Sequence, residues 1–116
     1  ASFYARNFIP PLFRPNAPQE LITPSIKVAD DFTTEGLSEA LLAMKNREDS
    51  FAFLAQTDLP VFWGIGKYDE LIPQEDMLKQ SLLCKQSYVA YLNNSAHMGH
   101  IEESDILAKH IIRFIS

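Results

Sequence analysis

LPVFWGIGKYDELIPQEDMLKQSLLCKQSYVAYLNNSAHMGHIEE, residues Leu59 to Glu103, holds two short apolar runs, Val61 to Ile65 and Ser87 to Leu92. Each is followed at once by a polar turn with a chemically useful side chain: Gly66-Lys67-Tyr68-Asp69 after the first, Ser95-Ala96-His97 after the second. One helix-length segment lies between them. This is the sequence form of a β-α-β unit, whose two strands run parallel. Parallel strands of one sheet end on the same edge. Asp69 and His97 are therefore expected near each other at that edge, where open α/β sheets place their sites.

Outside this stretch the composition excludes more than it specifies. A chain of 116 residues with 47% hydrophobic and 22% charged residues fits one ordinary globular domain with a modest core. A net charge of −5 without a basic stripe argues against nucleic acid or an anionic membrane as partner. No apolar run approaches the length of a bilayer span, and no signal peptide is visible. The one cysteine, Cys84, rules out an internal disulfide and fits a reducing, cytoplasmic compartment. It lies beside Leu82 and Leu83 and reads as a small buried apolar residue of the intervening helix. A two-strand parallel unit is too small to stand as a sheet, since parallel sheets are covered on both faces. Together with a start at Ala1, this leads us to expect part of a longer protein.

Working along the chain, Tyr4, Phe8 and Leu12 share a helical spacing that Pro10-Pro11 interrupts, so a short helix should break at Ile9. Leu21, Ile22, Ile26, Ala29 and Phe32 sit at near-helical spacing, and Pro24 fits only near a helix start, which predicts a helix from about Pro24 to Asp31. Thr34 is the expected N-cap of a helix running to Asn46, with Leu37, Leu41 and Met44 as its stripe. Asp49 should cap a short helix holding Phe51, Leu54 and Ala55. Arg47, Glu48 and Asp49 read as a solvated corner. The strand Val61 to Ile65 is apolar throughout, as expected of a strand buried on both faces. Pro73 suits the first position of the next helix, with Met77, Leu78 and Leu82 on its buried side. Strand Ser87 to Leu92 alternates more and should lie nearer a sheet edge. Ser104 or Asp105 should cap the last helix, which presents Leu107, Ile111, Phe114 and Ile115 to the sheet.

The pattern strand, Gly66-x-x-Asp69-x-x-x-Pro73, helix, strand, His97-x-x-x-x-Glu102, helix resembles the C-terminal end of the α/β-hydrolase fold. Glu35-Gly36 through Ala43-Met44, then Arg47 and Leu54, resembles the helical cap and return segment of small hydrolases of that family. The fold class is thus expected to be α/β: two parallel strands with flanking helices and a mainly helical N-terminal segment. Residues 1–58 would be the cap and return segment and 59–116 a β-α-β-α unit of the core, together one partial domain. The resemblance implies that Asp69 is the acid and His97 the base of a Ser-His-Asp triad. The family usually has Gly where this chain has Ala96. No G-x-S-x-G elbow and no oxyanion loop occur in these residues, so the nucleophile would lie outside the chain.

Each candidate residue also has a plainer reading. Asp69 is a common turn residue and His97 a polar loop residue; their joint placement after consecutive strands favours the catalytic pair. Phe3, Tyr4, Phe8 and Phe13 are core aromatics or, as the alternative, the border of an apolar acyl pocket. His100 lines the pocket or caps the last helix. His97-x-x-His100 with Glu102 lacks the further ligands of a metal site, so neither metal nor cofactor is expected. Glu102 reads as first-turn charge of the last helix, Lys67 and Glu70 as solvated, and His110 as without a role. The function these readings support is a serine hydrolase acting on an ester or similar small acyl substrate, its partners being that substrate and the missing N-terminal half. The 116 residues alone should be inactive. The alternatives are a non-catalytic binding or receptor-like module on the same fold, and a helical interaction domain with a β-α-β appendage.

Overall fold

The computed structural model describes residues 2–116. In chain order these form α1 (Ser2–Phe8), a 3-10 turn (Pro10–Leu12), α2 (Gln19–Asp30), α3 (Thr34–Asn46), α4 (Phe51–Gln56), β1 (Val61–Gly66), α5 (Gln74–Ser81), β2 (Ser87–Leu92), α6 (Gly99–Glu102) and α7 (Ser104–Ile115). β1 and β2 pair in parallel, with Val61 opposite Ser87 and Gly66 opposite Leu92. Both strands therefore end level, and the loops that follow them leave from the same edge.

The register explains the packing. Phe62 is opposite Tyr88 and Gly64 opposite Ala90, so these four lie on one face of the sheet. Helix α7 covers that face. Phe114 meets Phe62 and Tyr88 at ring-centroid distances of 5.5 and 5.8 Å, and Tyr88 Oη lies 3.1 Å from His110 Nδ1. His110 thus has a polar partner that the sequence did not indicate. Helix α5 packs against β1. Its end is tied to the sheet through a relay: Trp63 Nε1–H donates to Ser87 Oγ at 3.1 Å, and Ser87 donates to the Ser81 carbonyl at 2.6 Å. Ile65, Ala90 and Leu92 are almost wholly buried, and removing a side chain such as Ile65 from water contributes about 1.5–3 kcal/mol.

Several expectations are corrected. Helix α2 starts five residues before Pro24, at Gln19, and carries that proline inside it. The ring removes one backbone donor, and the remaining bonds and the buried Ile22 and Ala29 hold the helix. The cap of α3 is Thr33, whose Oγ1 accepts from Gly36 N at 2.9 Å; Thr34 is already helical. Asp49 does accept a first-turn N–H, that of Phe51, although the N-cap position belongs to Ser50. Pro73 is the N-cap of α5 rather than its first residue. That helix stops at Ser81, so Leu82 is 84% exposed and Cys84 lies in the following turn, half-buried. The N-cap of α7 is Glu103, without a side-chain capping bond. Ile111 and Ile115 are exposed, because the face of α7 turned to the sheet is that of Leu107, His110 and Phe114. β1 is not buried on both faces in this chain: Gly64 is exposed, because β1 has one neighbouring strand and a partial helical cover. Helices α3 and α4 bury none of their residues. Among the described residues no helix is long and apolar enough to cross a membrane.

Candidate active site

The loops after β1 and β2 are laced together before either reaches its functional side chain. Lys67 N–H donates to the Leu92 carbonyl at 3.0 Å, and Tyr68 N–H to the Ser95 carbonyl at 2.9 Å. The loops can approach this closely because residue 66 is glycine: a Cβ there would collide with the Ala96 carbonyl oxygen and lie 3.0 Å from that of Ser95. Ala96 is buried. It adopts an ordinary negative φ, Asn16 being the one non-glycine residue with positive φ among those described.

At the end of this lacing His97 Nδ1 lies 3.0 Å from Asp69 Oδ2. The other carboxylate oxygen, Oδ1, accepts from the backbone N–H groups of Leu71 and Ile72, both at 3.0 Å. The turn that made Asp69 look like a local structural residue is therefore what aims it. One oxygen is held by the turn and the other is left for the imidazole. A carboxylate beside Nδ1 favours the tautomer with the proton on Nδ1, leaving a lone pair on Nε2. Nε2 has no hydrogen-bond partner among the described residues. The side chains of His97 and Asp69 are 33% and 11% exposed. A protected carboxylate thus supports an imidazole whose outer nitrogen is open, the arrangement of a general base with its orienting acid.

Two further carboxylates belong to this site. Glu102, whose side chain is fully excluded from solvent, accepts from Ala96 N–H through Oε1 at 3.0 Å. Its Oε2 accepts from the backbone N–H of Arg14 at 2.8 Å and from the Arg14 guanidinium at 3.3 Å. Glu103 Oε1 accepts from Asn94 N–H and from the Ser95 hydroxyl, both at 2.7 Å. The reading of Glu102 as first-turn helix charge is thus incomplete, since the side chain turns back under the histidine loop. No local signal distinguishes the two, because the partner Arg14 is remote in sequence. His97 N–H in turn donates to the Leu12 carbonyl at 2.9 Å, so the segment around residues 12–14 lies against the histidine loop.

A cavity of about 230 Å³ opens beside the pair, lined by Asp69, Ile72, Met77, His97, His100 and Leu107 among others. His100 also borders a groove with Ile9, Pro24, Val28 and Met98. Of the four N-terminal aromatics, Phe3 and Phe8 are exposed, Tyr4 stacks on Phe8 at 4.9 Å, and Phe13 is buried. None of them lines the cavity beside His97; Phe13 lines a separate cleft with Arg14, Lys67 and Asp69. Lys67 and Glu70 are exposed. No cluster of three or more His, Cys, Asp or Glu placed to hold a metal occurs among the described residues.

No family model matches the chain, and no curated protein does. Solved structures do. A thermophilic esterase from Thermogutta terrifontis, malate bound, superposes with a TM-score of 0.91 at 23% identity, covering 97% of this chain and 43% of that one. An esterase from Exiguobacterium antarcticum gives 0.85 at 17% identity, covering 98% and 42%. A bromoperoxidase from Bacillus anthracis gives 0.84 at 13%, covering 98% and 43%. This chain thus spans under half the length of each. Its fold is that of the C-terminal part of an α/β-hydrolase.

Proposed function

We propose that this chain supplies the acid and the base of a serine hydrolase whose nucleophile lies in sequence outside these 116 residues. The observation that carries the reading is the 3.0 Å approach of Asp69 Oδ2 to His97 Nδ1, with a cavity that His97 lines beside the pair. The esterase neighbours support the same chemistry at the level of fold. In the first step, Nε2 takes the proton of the nucleophile's hydroxyl as its oxygen bonds to the acyl carbon. The imidazolium so formed stays paired with Asp69. It then returns the proton to the departing alkoxide as the ester C–O bond breaks. In the second step Nε2 deprotonates water, which attacks the acyl-enzyme, and the proton goes back to the serine oxygen. The cavity bordered by Ile72, Met77 and Leu107 suits a small acyl group, and no step calls on a cofactor.

The test is labelling of the complete protein with a serine-directed phosphonate, alongside turnover of a short-chain ester. Labelling that is lost on replacing the serine and much reduced in His97→Ala supports the reading. Turnover unchanged in His97→Ala overturns it. Absence of both labelling and turnover in the intact protein favours a binding module on the same fold.

A further inference from the structure

We propose that Glu102 is a positioning residue for His97, holding the backbone of the base in register by accepting hydrogen bonds from two separate segments at once. Its meaning for turnover rests on the hydrolase reading above, whereas its effect on the imidazole does not. Glu102 uses both carboxylate oxygens as acceptors. Oε1 takes the N–H of Ala96, the residue immediately before His97, at 3.0 Å. Oε2 takes the backbone N–H of Arg14 at 2.8 Å and its guanidinium at 3.3 Å. His97 N–H closes the circuit by donating to the Leu12 carbonyl at 2.9 Å. The histidine loop and the segment around Leu12 to Arg14 are therefore joined by one direct bond and one carboxylate bridge. The Glu102 side chain is fully excluded from solvent, so water does not compete for either oxygen.

The imidazole extends from a backbone fixed on both sides of its Cα, by Ala96 N–H before it and by its own N–H. Moving that backbone moves Nδ1 relative to Asp69 Oδ2. Asp69 does not follow, because the Leu71 and Ile72 N–H groups hold its other oxygen. The bridge demands a carboxylate and not merely its shape. Glutamine offers one acceptor oxygen and an NH₂ group. Whichever way the amide turns, a donor faces either Ala96 N–H or Arg14 N–H. A role limited to filling space would be rescued by Glu102→Gln, and a positioning role would not.

The experiment follows the His97 ring in the complete protein by ¹⁵N NMR, with the Trp63 indole N–H as internal reference. That indole is bonded to Ser87 Oγ at the opposite end of the strands and reports the sheet. In the wild type the ring should show one Nδ1-protonated tautomer with a slowly exchanging proton. In Glu102→Gln the Trp63 signal should stay in place while the His97 Nδ1 proton broadens or is lost. The ester kcat should fall roughly a hundredfold, the scale of an ångström-sized misplacement, with KM little changed. A His97 signal and kcat both at wild-type values in Glu102→Gln would overturn the proposal. Should Glu102→Gln fail to fold, the double variant Arg14→Leu with Glu102→Met decides: it removes the buried charges together and leaves none unpaired. A native Trp63 signal with a lost His97 proton supports the proposal there, and two native signals overturn it. A wild type that hydrolyses no ester yet shows the NMR contrast removes the hydrolase reading and leaves the positioning role standing.

Discussion

Both oxygens of Asp69 are committed, Oδ1 to the Leu71 and Ile72 amides and Oδ2 to the His97 ring. This makes Asp69→Asn an informative replacement at the residue scale. The two amide donors hold the asparagine carbonyl oxygen where Oδ1 was, so its NH₂ faces Nδ1. Nδ1 must then accept, and the proton moves to Nε2, the nitrogen that should receive one. The variant should fold normally yet lose roughly 10⁴-fold in kcat, the scale found when a triad acid becomes an amide in serine proteases. The tautomer change is read directly from the ¹⁵N shifts of the ring. An Nδ1-protonated ring in Asp69→Asn would contradict the assignment. The nearness of this pair was legible in sequence because residues that follow consecutive parallel strands share one sheet edge. Glu102 was not legible: its helical context predicts first-turn charge, and its partner Arg14 is remote in sequence.

At the scale of elements, the loops after β1 and β2 meet at one point that tolerates no side chain. Gly66→Ala pushes a methyl into the backbone carbonyl of Ala96, which is pinned on both sides. Gly99→Ala meets only the end of the Leu92 side chain, at 2.5 Å, which can rotate away. Denaturant unfolding should therefore show a loss of about 1–3 kcal/mol or more for Gly66→Ala, the cost of forced overpacking, and a smaller one for Gly99→Ala. Equal losses would mean that the loops yield more readily than their hydrogen bonds imply. Helix α3 offers a second test. Thr33→Ala removes the cap bond to Gly36 and should weaken the first turn by about 0.5–2 kcal/mol, whereas Thr34→Ala should not. Hydrogen exchange at Gly36 and Leu37 distinguishes them. The two threonines are adjacent and chemically identical, so the sequence located the cap only to within one residue. The early start of α2 was missed for a different reason: Pro24 argues for a helix start on local grounds, and burial of Ile22 and Ala29 outweighs the one bond that it removes.

The whole molecule is looser than its length warrants. Its radius of gyration is 15.9 Å, against about 13 Å for a compact chain of this size. More large apolar side chains are exposed than buried among the described residues, including Leu71, Leu82, Phe51, Phe53 and Met44. The 116-residue chain by itself should therefore bind a hydrophobic dye such as ANS in native buffer and unfold with low cooperativity. On the proposed reading, in which His97 and Asp69 are a base and its acid without a nucleophile, it should also hydrolyse an activated ester no faster than free imidazole does. Sharp, dye-free unfolding would show that these faces satisfy one another in solution. Ester turnover well above the imidazole background would place a nucleophile within the chain.

Periodicity and punctuation determined the β-α-β unit, the edge on which its loops emerge and the identity of the two side chains brought there. These features depend on residues close in sequence and on the rule that parallel strands end together. Tertiary structure alone decided how the histidine loop is held, by Glu102 reaching Arg14 and by His97 N–H reaching Leu12. It also decided which apolar stripes find cover: that of α7 against Phe62 and Tyr88 does, and those of α3 and α4 do not. A hydrogen bond between residues far apart in the chain leaves no periodic trace, and an amphipathic face reads the same whether or not another surface meets it.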